Sequence, residues 1–179
     1  MQPCILSYVT LPDDLDFLYS TMTADDQYLF STKMRFCTIQ TFEQWLVCRL
    51  KGDFHDFFLV KDRRTNRKIG YVYNYDFSLQ HGHCKLAVYI EPKYRETGIG
   101  AFAAIGFVSY LFETYPLRKL YSTIYEYNYE SLKSNRTAGF VEEGVLKEYR
   151  YYDGKIHDIH YLSLSRQTYE QKIMGKWVK

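Results

Sequence analysis

Hydrophobic positions recur at helical spacing over about the first fifty residues and at alternating spacing after them. "PDDLDFLYSTM" places acids at a helix start, ahead of apolar residues in helical register. "TFEQWLVCRL" opens with Thr41 and Gln44 in capping-box spacing, followed by Trp45 and Leu46, and predicts a second helix. Strand character then takes over: "DFFLVKD" and "IGYVYNYDF" flank the turn "RRTNRK" as a hairpin, and "HCKLAVYIE" is a third strand closed by Pro92. A helix is predicted from Ile99 to Thr114, then Pro116 and the strand "KLYSTIYEY". A short helix begins near Asn128 and stops at Gly139, a C′ residue. The last runs, "VLKEYRYYDGKIHDIHYLSLS", surround Asp153-Gly154, a type I′ hairpin signal.

The resulting order is α-α-β-β-β-α-β-α-β-β. Only the unit around residues 83–126 has the form of a parallel βαβ crossover; the other strands read as antiparallel. The expected fold class is therefore mixed α/β, with one domain over residues 1–179 and no internal repeat or linker.

Composition sharpens this picture without naming a ligand. Aromatic residues make up 18% of the chain and include 19 tyrosines, which favours sheet and half-buried positions. The net charge of +2 is spread over both halves, which argues against nucleic acid as a partner. The longest apolar run, "IGAFAAIGFVSYLF", is shorter than the roughly 20 residues that span a bilayer, and no signal peptide is visible. Cys4, Cys37, Cys48 and Cys84 show no metal-ligand spacing, and reduced thiols in a cytoplasmic protein are the expectation. His157 and His160 are three apart in a strand and so face opposite ways, which opposes a metal site.

The chemistry concentrates in "YRETGIGAFA". Gly98, Gly100 and Ala103 fit the dinucleotide pattern G-x-G-x-x-(G/A), with Glu126 as a ribose partner on the next strand. That pattern needs its first glycine almost directly after the strand, whereas "EPKYRET" separates Ile90 from Gly98. The alternative is R-x-x-G-x-G from Arg95 to Gly100. Backbone N–H groups of such a loop converge on a pyrophosphate, the helix N-terminus adds partial positive charge, and glycines permit close approach.

In this second form the sequence is similar to the GNAT superfamily of N-acetyltransferases. "YRETGIG" after "CKLAVYIEP" resembles its motif (R/Q)-x-x-G-x-(G/A), and "YNYESLKSNRTAGFVEEGVLKEY" resembles its second block. The likeness extends over about residues 55–166 and is closest to the ribosomal-protein and nucleotide-amino-sugar acetyltransferase branch. It implies a mostly antiparallel twisted sheet splayed at the cofactor site, with helices flanking it. Residues 83–140 would be the acetyl-CoA-binding core and residues 1–55 the acceptor side. It also implies acetyl transfer from acetyl-CoA, as co-substrate and without a metal, to a primary amine. Amino sugars, polyamines, antibiotics and protein N-termini are the acceptors in view.

By the same resemblance the pantetheine arm pairs with the backbone of Val88, Tyr89 and Ile90. The backbone of Arg95, Glu96, Thr97, Gly98, Ile99, Gly100 and Ala101 holds the pyrophosphate. Asn128 and Ser131 lie near the acetyl group and sulfur, with the Ser131 hydroxyl as proton donor to the thiolate. Asn128 also reads as the N-cap of the short helix and Ser131 as a first-turn residue. The chain departs from the family in three places: Asn135 replaces the usual tyrosine acid, Lys85 stands where a glutamate is common, and Glu96 and Thr97 replace small and basic residues. The base is left among Asp76, His81, His83, Glu91, Glu126 and water. Asp13, Asp14, Asp16, Asp25 and Asp26 are candidates to attract a cationic acceptor. Two other readings stay open, a non-catalytic CoA-binding module and a nicotinamide-dependent oxidoreductase. Family members are often dimers, and the aromatic C-terminal hairpin offers a surface for a homodimer.

Overall fold

Residues 2–30 and 38–174 are described by a computed structural model, with Asp26, Gln27 and Met174 as backbone only. Cys37 and the Asp26 side chain, both considered above, therefore lie outside the described residues. Strands β1 (Cys4–Tyr8), β2 (Phe57–Asp62), β3 (Lys68–Ser78), β4 (His83–Ile90), β5 (Lys119–Tyr125), β6 (Val141–Tyr152) and β7 (Lys155–Ser165) form one sheet in the order β1-β2-β3-β4-β5-β7-β6. Helices α1 (Leu15–Met22), α2 (Ile39–Lys51), α3 (Ile99–Thr114), α4 (Tyr129–Thr137) and α5 (Arg166–Tyr169) flank it, and a 3-10 turn spans Asp25–Leu29. Every strand pairing is antiparallel except β4 with β5, which α3 connects as the expected crossover.

Strand alternation divides the core between the two faces of the sheet. Phe58, Val60, Val72, Leu86, Ile90, Leu120 and Ile124 pack with Phe107, Leu111 and Phe112 of α3 on one face. Phe57, Leu59, Tyr71, Tyr73 and Tyr89 pack with Leu18 and Met22 of α1 and Phe42 and Leu46 of α2 on the other. Burying each large apolar side chain is worth about 1.5–3 kcal/mol, so both helical layers are anchored chiefly by this alternation.

Local signals explain most boundaries. Gly139, with φ of 96°, follows α4 as its left-handed C′ residue, and Asp153 and Gly154, at 49° and 73°, form the type I′ turn between β6 and β7. The structure differs from expectation in three places. The edge strand β1 was not foreseen, because "CILSY" carries no turn signal and takes its partner β2 from more than fifty residues away. The capping box of α2 is Thr38 with Thr41, so Thr41 closes the box and the helix begins at Ile39. The short helix α5 follows β7 directly, capped by Ser165, whose hydroxyl accepts from the Thr168 N–H at 3.1 Å.

Candidate active site

β4 and β5 begin side by side and then part. Their pairing is limited to His83 with Lys119, Cys84 with Leu120 and Lys85 with Tyr121, although β4 runs on to Ile90 and β5 to Tyr125. The β4 edge beyond Lys85 thus borders a wedge. Register decides which groups face it. Gly70 opposes Ile90 while the Glu91 N–H donates to the Ile69 carbonyl, so Gly70–Ile90 is a non-hydrogen-bonded pair. By alternation Val88 and Ile90 turn their N–H and C=O toward the wedge, and Tyr89 turns its own toward β3. Gly70 was not singled out from sequence, yet a Cβ there would lie 2.1 Å from the Tyr89 oxygen. Only glycine lets β3 approach β4 so closely.

The wedge leads to the N-terminus of α3. Gly98 is its left-handed N-cap at φ 82°, and no atom lies within 4 Å of a Cβ built on it. At Gly100 such a Cβ would meet only Ile90, at 3.5 Å. The first i→i−4 bond of the helix runs from the Phe102 N–H to the Gly98 carbonyl, leaving the preceding N–H groups directed outward. Among them, the Ile99 N–H has a 3.4 Å contact to the Thr97 hydroxyl. Arg95 folds back: its Nε donates to the Ile90 carbonyl at 2.9 Å, and its guanidinium lies 5.6 Å from the Tyr89 ring centroid. Its side chain therefore ties the loop to the strand. Glu96 adopts a left-handed backbone at φ 62° and is exposed, so its charge points to solvent. An extended strand edge running into a row of helix N–H groups suits a ligand that is a polyamide at one end and an anion at the other.

Past the end of β5, the Asn128 side-chain Oδ1 accepts from the Ser131 N–H at 3.3 Å, capping α4. Its amide nitrogen donates to the Leu29 carbonyl, also at 3.3 Å, so one side chain joins α4 to the Asp25–Leu29 turn. Asn135 donates to the Ser131 carbonyl at 2.9 Å and reaches the Ser131 hydroxyl at 3.5 Å.

Lys85, Ala87 and Tyr89 of β4 and Tyr121, Thr123 and Tyr125 of β5 face the α1/α2 side. The Lys85 ammonium pairs with Asp76 at 2.9 Å and lies over the Tyr75 and Tyr161 rings. Burial would lower its pKa, but the Asp76 bond and charge outweigh that and the net shift is upward. Tyr75 and Thr123 hydroxyls meet at 3.3 Å, bridging β3 and β5. The candidate bases are dispersed. Asp76 is taken by Lys85. His81 and His83 stack at the closed end of the pairing, where burial first, then His81, Arg118 and Lys85, hold the His83 pKa down. Glu91 pairs with Lys93 at 3.2 Å, and Glu126 binds His157 at 2.8 Å. His160 binds Glu142, so the two histidines serve different carboxylates. Of the N-terminal acids, Asp14 is buried and ion-paired with Lys68.

One group of residues escaped sequence reasoning. Residues 28–30 cross this face as a strap. Tyr127 donates through its hydroxyl to the Tyr28 carbonyl at 2.8 Å, and Arg150 Nη1 donates to the Tyr28 and Phe30 carbonyls at 3.0 and 3.3 Å. The Phe30 ring lies 5.9 Å from that of Tyr89. The strap thus reaches from β4 to the end of β5 through contacts up to 122 residues apart in sequence, and no local pattern announces it.

Comparisons agree with this architecture. The structure superposes on spermidine N-acetyltransferase from Vibrio cholerae in complex with CoA and spermine, with a TM-score of 0.86 and 19% identity, over 95% of this chain and 99% of that one. A chimera of the Vibrio cholerae spermidine N-acetyltransferase SpeG and hSSAT gives 0.84 at 19% identity, over 95% and 99%. The Vibrio cholerae spermidine/spermine N-acetyltransferase SpeG with manganese ions gives 0.82 at 19% identity, over 96% and 97%. At that identity the likeness is one of fold. A search of curated proteins gives no match. The family assignment rests on the sequence itself, whose residues 6–141 match the acetyltransferase (GNAT) domain model. With the wedge, the helix terminus and this match together, the chain belongs to the GNAT family of acetyl-CoA-dependent N-acetyltransferases.

Proposed function

We propose that residues 1–179 work as one acetyltransferase domain that holds acetyl-CoA in the wedge between β4 and β5 and acetylates a primary amine arriving from the α1/α2 face. The carrying observation is that, among the described residues, the pairing of β4 with β5 ends at Lys85 while β4 runs on toward the N-terminus of α3. Acetyl-CoA supplies the acetyl group as a thioester. Val88 and Ile90 offer backbone groups to its pantetheine amides, with Tyr89 between them fixing the strand to β3. The backbone from Arg95 to Ala101 receives the pyrophosphate. The open space at Gly98 and Gly100 fits this role, because a side chain there would fill the cradle.

Asn128 orients the first turn of α4. Ser131 presents its hydroxyl, and the Asn135 amide approaching its oxygen directs the proton outward, toward a departing thiolate. Lys85, held cationic by Asp76, does not take the amine's proton; water in the cleft carries it. The enzyme works in the cytoplasm. Two copies pair through the β6–β7 hairpin, a reading supported by exposed Leu146, Tyr149, Tyr151 and Ile156.

Thermal shift with acetyl-CoA, CoA, NAD and NADP, followed by thiol release over a panel of amines, tests the proposal. Stabilisation by both CoA forms and thiol release with at least one amine are expected. Stabilisation without release identifies a non-catalytic CoA-binding module, and stabilisation by NAD(P) alone overturns the reading.

A further inference from the structure

Arg150 is placed to do more than hold the strap. Its guanidinium carbon lies 4.4 Å from the ring centroid of Tyr125, 5.5 Å from Tyr152 and 6.0 Å from Tyr127. Nη1 alone serves the two strap carbonyls. No carboxylate among the described residues pairs with this half-buried cation, and the nearby Glu126 is bound to His157. Nε and Nη2 make no hydrogen bond to described residues, and neither is a sealed buried atom. A guanidinium held by aromatic faces and by one nitrogen keeps its other donors in fixed directions, the geometry suited to a planar or tetrahedral oxyanion. Tyr125 shares the acceptor face with Thr123 and lies two residues further along β5, about 7 Å at strand rise. On the same face Lys85 is paired with Asp76, and buried Asp14 is paired with Lys68, so neither pair adds net charge. Among the described residues Arg150 is thus a cation without a carboxylate partner, which favours an anion over a polycation beside it.

We propose that the acceptor of the acetyl transfer is an amine that also bears an anionic group, a carboxylate or a phosphate about four bonds from the nitrogen, and that Arg150 binds that group. This rests on the acetyl-transfer reading above. Four primary amines of matched length test it: 4-aminobutyrate, 2-aminoethyl phosphate, butylamine and 1,3-diaminopropane. kcat/KM is expected to be at least about tenfold higher for one of the anionic amines than for butylamine, equivalent to about 1.4 kcal/mol, and lowest for the diamine. The better of the two anionic arms tells carboxylate from phosphate. Arg150→Gln should shrink the anionic-to-neutral ratio about tenfold through KM, and Arg150→Lys should restore part of it. A purely structural role for Arg150 lowers all four rates together and leaves the ratio intact, which overturns the proposal, as does a diamine turned over fastest. Calorimetric titration of the same two anionic amines into the CoA-loaded protein reads the inference apart from catalysis. Binding lost in Arg150→Gln supports it even if no amine is acetylated, and no binding to the unmodified protein defeats it.

Discussion

Three single residues on or beside the proposed cofactor loop each have a distinct test. At Gly100 the protein itself leaves room, since an added Cβ meets only Ile90 at 3.5 Å. Gly100→Leu should therefore fold with nearly unchanged Tm while acetyl-CoA affinity, read by calorimetry, drops at least about 100-fold; unaltered affinity would place the pyrophosphate elsewhere. Gly70 is the opposite case. Gly70→Ala forces a methyl onto the Tyr89 oxygen, so a loss of about 1–3 kcal/mol in denaturant unfolding is expected, along with weaker cofactor binding from the displaced strand. Glu96 combines a left-handed backbone with an exposed negative charge. Glu96→Gly removes both the strain and the charge, and should tighten acetyl-CoA two- to tenfold, with the gain shrinking as salt is raised. Gly98 was legible in the sequence as the turn into α3, because a left-handed N-cap between strand and helix favours glycine. Gly70 was not, because its necessity comes from a neighbour on another strand.

At the scale of elements, the 16-residue helix α3 and the β6–β7 hairpin were readable because their boundaries are local: Gly98, Pro116 and Asp153-Gly154. β1 and the strap were not, since each gains its shape from a distant partner. The hairpin also carries a pH signature. Glu142 is held below the ordinary carboxylate range by His160 and Arg136, Glu143 by Lys119 and Ser163, and Asp158 by Lys147 and the Glu148 N–H. The unfolded chain therefore binds protons first as pH falls. The stabilisation is fully present above about pH 5, past the ordinary carboxylate values, and is lost as pH falls through the lowered folded values. Because these groups lie near the surface the effect is modest. Protection factors of β6 and β7 amides, corrected for intrinsic exchange, should fall below about pH 4 before those of β3 and β4, and an equal fall throughout would contradict this.

For the whole molecule, thiol chemistry offers a probe of how tightly the α3 face of the sheet is closed. Cys84 is sealed in the α3-side core, and burial first, then the Asp56 charge, push its thiol up to about 12 against the opposing Asn74 bond. Burial likewise raises Cys4, whereas Cys48 is exposed. Peptide mapping after alkylation of the native protein should find Cys48 modified quickly and Cys4 and Cys84 only after unfolding. The short pairing of β4 with β5 has a consequence for folding as well as for chemistry. Backbone pairing joins the two halves of the sheet over three residue pairs, with the Tyr75–Thr123 hydroxyl contact beside them. Backbone pairing between the two halves is thus narrow, although α3 packs on both, and in the proposed complex acetyl-CoA would add contacts across the gap. Calorimetry should show a broad, less cooperative transition for the apo-protein, and a sharper one at higher temperature when acetyl-CoA is saturating. The cell's acetyl-CoA supply would then govern how long the enzyme survives as well as how fast it turns over.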